Sequence, residues 1–415
     1  MTTSNIKKTV FSLAALFMVS TANAGYTIKK TVNDIDTKFT VFGFSQLEAR
    51  GGEGSATGNN HNVSFHAQRI RLGWKYSAGK VNSKVFIDFN QNSAANKTTD
   101  SGGASGIGVP DNIKDAFVSY NVHKSFIPKI GVLKMPHGMG FTIPGWNLDI
   151  AERGLDKKLV LERNLGVMIS GRDIGFGDNG KVNGLEMGHE RPWKGFGYDI
   201  MIANQAGRSA SVTNAQEGNG NAYAARVMFD WTELLHVEAS YALSENAGGV
   251  KGQIIYDYNS TSGTIPAAAL LVDSEDYGSY DIGLDSHFLD ANVKIEYISA
   301  HNVKGKKDVD ETAFSTTLTY AINETFEPAL KHIQATSTKG TDVTQTDLGN
   351  TYFGLNIFLE PLAGTMSRSD KRKRNAHKLV LNYILATGDT SGVNIWNGLG
   401  GYKQDAWIFQ YQVGF

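Results

Sequence analysis

The segment from Pro128 to Gly171 holds a dense mixture of opposite charges. Pro136, Pro144 and Trp146 interrupt it. Asp149, Glu152, Arg153, Asp156, Lys157, Lys158, Glu162 and Arg163 crowd the second half. Earlier in the chain Arg69 and Arg71 stand two apart, and on a strand that spacing puts both on one face. A guanidinium offers a rigid fork to a phosphate or a carboxylate. Several such groups in a narrow space focus the field and concentrate anions. Five acids stand in the same stretches: Asp88, Asp115, Glu152, Asp156 and Glu162. They can instead pair with the cations and hold a loop against a wall.

Other chemistries find little support. The ten histidines show no H-E-x-x-H or other tight metal spacing. No serine stands in a G-x-S-x-G elbow. An enzyme is therefore not expected, and no cofactor is. "GFGDNG" (175–180) matches the letters of the dinucleotide fingerprint, but Lys181–Met187 after it has no helical period. It reads as a turn. The basic run Lys371–Arg374 reads as a solvated or headgroup-facing cluster. With 40 basic and 41 acidic residues, the balance gives no support for nucleic-acid binding.

The elements that would position these residues are strands. Trp407, Phe409, Tyr411, Val413 and Phe415 occupy every second position at the end of the sequence. That is a strand with one apolar, largely aromatic face. In water it would be an aggregation hazard, whereas in a membrane barrel its edge is paired and its apolar face meets lipid. At the other end Lys7 and Lys8 precede an apolar run from Thr9 to Val19, then Ala22 and Ala24. Residues 1–24 read as a secretory signal peptide with the mature chain from Gly25. No other window is long and apolar enough for a membrane helix. The chain has no cysteine, so no disulfide framework is expected.

Between these ends, short alternating segments are separated by Gly, Asn, Asp and Ser clusters. Strands are predicted at 39–48, 63–76, 80–90, 112–121, 128–135, 163–172, 195–204, 221–231, 234–244, 279–288, 291–300, 311–321, 324–336, 350–359, 376–387 and 404–415. About 16 strands make a barrel of the size that leaves a water-filled lumen. Connections alternate tight and long, except that 173–194 and 360–375 are long where tight turns are due. The fold expected is all-β, a transmembrane antiparallel barrel over 25–415. By its order the third external connection, 136–162, resembles the loop that folds inward in porins and is expected to be a constriction loop, where irregular backbone can be solvated by lumen water.

Five stretches in order, "RIRLGWK" (69–75), "IKDAFVSY" (113–120), "GVLKMP" (131–136), "AERGL" (151–155) and "RNLGVMISG" (163–171), resemble the phosphate-selective porins O and P. The closing strand resembles those of bacterial outer-membrane barrels, whose final Phe is an assembly signal. This resemblance implies a homotrimeric channel with cations along an anion path. It implies pore-lining roles for Arg69, Arg71, Lys134, Arg153, Lys157 and Arg163, opposed by Asp88, Asp115 and Glu152. It also implies that the barrel-assembly machinery engages Phe415. Val132 stands where family members often carry Gln. Five basic candidates (Arg69, Arg71, Lys134, Arg153, Arg163) against five acids suggest a wide pore with modest anion preference, for small hydrophilic solutes. Two alternatives stay open: a general or cation-preferring porin, and an adhesion barrel with a blocked lumen. Either way the expected location is the bacterial outer membrane.

Overall fold

A computed structural model describes residues 25–52, 63–90, 112–154, 157, 159–175, 191–192, 194–204, 220–232, 234–245, 275–305, 307–339, 346–359, 375–388, 402 and 404–414. The signal-peptide reading (1–24), Asp156, Lys158, nearly all of "GFGDNG", Lys371–Arg374 and Phe415 fall outside them.

The chain order is β1 (Tyr26–Val32), β2 (Ile35–Gly51), β3 (Ser64–Ala78), β4 (Val81–Asp88), β5 (Ile113–Tyr120), β6 (Ile127–Lys134), β7 (Arg163–Ile174), β8 (Lys194–Asn204) and β9 (Asn221–Trp231). It continues with β10 (Leu235–Ser244), β11 (Tyr277–Phe288), β12 (Ala291–His301), β13 (Val309–Tyr320), β14 (Phe326–Lys339), β15 (Thr346–Phe358), β16 (His377–Gly388) and β17 (Ala406–Gly414). Strands β2 to β17 each pair antiparallel with their neighbours in sequence, and β17 returns to pair with β2. The result is a closed barrel of sixteen strands, with no open edge in the ring. All sixteen predicted strands are present.

Alternation assigns the two faces. Along β17, Ala406, Ile408, Gln410 and Gln412 are buried, while Trp407, Phe409, Tyr411 and Val413 point outward. On β11, Ser279, Asp281 and Asp285 are buried and Tyr280 and Ile282 exposed. An apolar belt outside and polar groups inside are what lipid and water require of such a wall. The tight turns fall at 79–80, 289–290 and 232–234, where Thr232 and Leu289 take positive φ.

One element was not expected. Strand β1 forms a hairpin with the start of β2, from Tyr26 opposite Val41 to Val32 opposite Ile35. Its turn, Asn33-Asp34, holds φ at 49° and 61°, the geometry of a two-residue hairpin. β1 lies along the edge of β2 that β17 leaves at Phe44. No glycine marks the turn and Lys29-Lys30 breaks the apolar alternation, so the sequence gives a weak signal there.

The segment 135–162 between β6 and β7 contains one helical turn, α1 (Met139–Thr142), and a 3-10 turn at Gly145–Asn147. It meets inward-facing side chains around the ring. Gly138, Met139 and Gly140 donate their amides to Ser240 Oγ (3.2 Å), Asp281 Oδ1 (3.2 Å) and Glu296 Oε1 (2.9 Å). Gln46 and Gln412 donate to the carbonyls of Gly145 and Trp146, both at 3.1 Å. Lys378 donates to Leu148 O at 2.7 Å, and Asn382 accepts from Ala151 N at 2.8 Å. Ile150, Leu159 and Val160 join an apolar cluster with Ile298, Ile333, Val380 and Ile384. Just before β8, Arg191 reaches the inward-facing Asp285 at 2.6 Å.

Candidate functional site

Two irregularities in the wall prepare the site. In β3 the register passes from Gln46↔Arg69 to Leu47↔Ala67, so Gln68 is an extra residue. In β5 it passes from Phe86↔Asp115 to Ile87↔Ile113, so Lys114 is extra. Such a bulge lets two successive side chains leave the same face. Gln68 and Arg69 therefore both face the lumen, and so do Lys114 and Asp115.

Between this wall (β3 to β7) and the 136–162 segment lies a cavity of about 250 Å³. Eight cationic side chains line it: Arg69, Arg71, Lys84, Lys114, Lys134, Arg153, Lys157 and Arg163. Three described acids join them: Asp88, Asp115 and Glu162. All six cations expected from the sequence thus meet in one space. Lys84 and Lys114 were missed. Strict alternation sends Lys114 outward if Asp115 points inward, and only the bulge reverses this. Lys84 shares its face with Phe86, an aromatic that disguises an inward polar row.

Each acid already has a cation. Asp88 accepts from Arg71 Nε at 2.8 Å. Asp115 is shared by Lys84 and by Arg163, the latter at 3.1 Å. Glu162 lies 4.0 Å from Lys157. Glu152, expected on this path, does not line the cavity. It is held by Arg50, Gln68 (3.2 Å) and Tyr402 (3.1 Å), because Arg50 points inward two residues beyond Glu48 and meets it first. The expected parity of charge is therefore not found among the described residues: the excess is positive.

Three of the cations also hold neutral groups. Arg69 donates to the Gln46 amide oxygen. Lys134 donates to the carbonyls of Phe141 (2.8 Å) and Thr142 (3.1 Å). Arg153 donates to those of Gly140 (3.2 Å), Phe141 (3.3 Å) and Ile143. The Phe141 ring lies 4.8 Å from Lys134 Nζ, 5.4 Å from the Arg153 guanidinium carbon and 5.7 Å from that of Arg163, so one aromatic face serves three cations. Burial, then the like charges of Arg69, Arg71 and Arg163, pull the Arg153 guanidinium well below its usual range. Lys114 is 4% exposed and bonds to no described carboxylate.

Trp146 fastens the segment on this side. Its ring meets Phe44 edge-on at 5.4 Å and Phe86 at 6.2 Å, and Phe86 stacks on Phe42 at 5.2 Å. The segment therefore spends N–H groups on the acids of β11 and β12 and carbonyls on Lys134 of the opposite wall and on its own Arg153. Both walls keep satisfied partners without neutralising each other.

No family model and no curated protein matches the chain. Solved structures do match. OmpF of Salmonella typhi, in complex with daunomycin, is similar at 11% identity and TM-score 0.57, covering 91% of this chain and 98% of its own. OmpT of Vibrio cholerae, an outer membrane protein in trimer form, is similar at 10% and 0.56, covering 91% and 99%. An anion-selective porin from Comamonas acidovorans is similar at 12% and 0.54, covering 91% and 100%. At such identities the likeness carries the fold alone, a sixteen-strand barrel of the outer-membrane porin type.

Proposed function

We propose that the chain is an outer-membrane porin for passive diffusion of small hydrophilic solutes, with a preference for anions, phosphate among them. The observation that carries this reading is the cavity's composition, eight cations against three acids that are already paired. The segment 136–162 acts as the constriction loop, and its apolar packing on the β12–β16 side leaves the aqueous path on the cationic side. Arg69, Arg71, Lys114, Lys134, Arg153, Lys157 and Arg163 line that path. The channel is not an enzyme. It is exported by residues 1–24, recognised for assembly through Phe415, embedded in outer-membrane lipid and assembled as a homotrimer, as the likeness to a trimeric barrel supports. The likeness to an anion-selective porin supports the charge preference.

The test is the zero-current potential of single channels across a salt gradient. An anion-side potential supports the reading, and a cation-side potential overturns the preference. The same apolar packing supports a second reading, a barrel with a blocked lumen. Liposome swelling in small sugars separates the two: no swelling would sink the porin.

A further inference from the structure

The cations of the cavity stand on two bodies. Arg69, Arg71, Lys114 and Arg163 belong to the strands, whereas Arg153 and Lys157 belong to the 136–162 segment. On this wall the segment is held by Lys134, which takes the Phe141 and Thr142 carbonyls, and by Trp146 against Phe86, while its amide bonds lead elsewhere. Its amides at Met139, Gly140 and Ala151 are held by Asp281, Glu296 and Asn382, away from this wall. Arg153 donates only to carbonyls of its own segment among the described residues. Across the seam, Arg69 ends on a neutral amide and Lys114 has no described carboxylate. The approach is close: a methyl group added to Gly145 would lie 3.3 Å from Arg69 Nε and 3.6 Å from Arg71 Nη1. Two sets of like charge therefore face one cavity, and the three that bond to no described carboxylate, Arg69 and Lys114 on the wall and Arg153 on the segment, oppose the docking that brings them together.

We propose that a multivalent oxyanion bridges the two sets and locks the 136–162 segment against the β3–β7 wall. The anion that the pore attracts then also sets how firmly its constriction closes. The inference rests on the anion-channel reading above. The linkage is simple. With the segment docked, the anion meets cations from both bodies; with the segment released, it keeps one set. It binds the docked state better, so its presence favours docking, by at most about a hundredfold at a concentration a hundred times the dissociation constant, less whatever affinity the released state keeps. A monovalent anion reaches fewer of these groups at once and locks less. Phosphate and sulfate carry the charge and the several acceptor oxygens that guanidinium forks and ammonium groups match.

The experiment is hydrogen exchange on the full chain in detergent, comparing sodium sulfate and sodium phosphate with sodium chloride at matched ionic strength. The amides of Met139, Gly140 and Ala151 report docking. Either oxyanion is expected to slow their exchange by about tenfold or more, saturably, with strand amides unaffected. Arg153→Gln should abolish the effect. Lys157→Gln, at a side chain 39% exposed and so tolerant of change, should weaken it and carries the test if Arg153→Gln does not fold. Equal exchange in chloride and oxyanion, or equal protection in both variants, overturns the lock. The zero-current potential, read in parallel, separates the two ideas. An anion-side value with no oxyanion protection sinks the lock and leaves the channel reading standing. A cation-side value with no protection sinks both.

Discussion

Lys114 gives the sharpest single-residue expectation. It is buried in the cavity wall and has no described carboxylate partner, so its charge is available to the path. Lys114→Gln keeps a polar side chain and removes one charge. A charge at close range in a partly wet site is worth about 1 kcal/mol, a factor of roughly five in the anion-to-cation permeability ratio. The zero-current potential should fall accordingly, and an unchanged potential would remove Lys114 from the path. His137 gives a pH expectation. It is 0% exposed, and burial pulls its pKa from the ordinary 6.5 down to about 4, with the charge of Glu238 offsetting part of the drop. The released segment binds the proton more readily than the docked one. The contribution of His137 to docking is therefore full above about pH 6.5 and is lost as the pH falls toward 4, by up to about 3 kcal/mol. Exchange of the Gly138 and Met139 amides should quicken over that window. His137→Gln should lose the pH dependence; if the variant keeps it, another group titrates. Arg69 and Arg71 are legible because they stand two apart on one strand face, whereas Lys134, Arg153, Lys157 and Arg163 are legible through the resemblance of the stretches that carry them. Lys114 is not, since its direction depends on a bulge.

At the scale of elements, the 136–162 segment is fixed by shape as much as by charge. On β11, a methyl group added to Gly283 would fall 2.7 Å from Cβ and Sδ of Met139, the first residue of α1. Glycine is required there for the backbone of the wall and the segment to approach. Gly283→Val should expel Met139 and, with it, the amide bonds to Asp281 and Glu296. Overpacking of this kind costs about 1–3 kcal/mol, here charged to docking because β11 stays paired on both sides. A higher single-channel conductance with unchanged barrel circular dichroism is the expected result, and wild-type conductance would show that the helical turn adjusts. The sixteen ring strands are legible because alternation repeats through them all. The β1–β2 hairpin is not. Its seven β1 residues are all exposed, so no buried face imposes a pattern on them.

At the scale of the whole molecule, the barrel is electrically two-sided. Among the described residues cations gather on β3 to β7, and the acids Glu238, Asp281, Asp285 and Glu296 stand on β10 to β12 with the segment between, although Arg191 offsets Asp285 and Arg226 offsets Glu238. A transverse field of this kind acts on solutes through water, and salt screens it. Raising salt from 0.1 to 1 M shortens the screening length from about 10 Å to about 3 Å. Anion preference should therefore fall steeply over that range in bilayer recordings. A preference that survives 1 M salt would locate selectivity in direct coordination by the buried groups and not in the field. The sequence by itself determined the all-β class, the sixteen ring strands and their outward apolar face, each from a local period of two. The six cations were named by the resemblance of five ordered stretches, and the structure brings them into one cavity. Only the tertiary structure decided the sign of the cavity's charge. That sign depends on two bulges, on Arg50 drawing Glu152 aside, and on bonds such as that from Lys378 to Leu148, 230 residues apart. Such contacts form when the ring closes around the segment, and no local pattern encodes them.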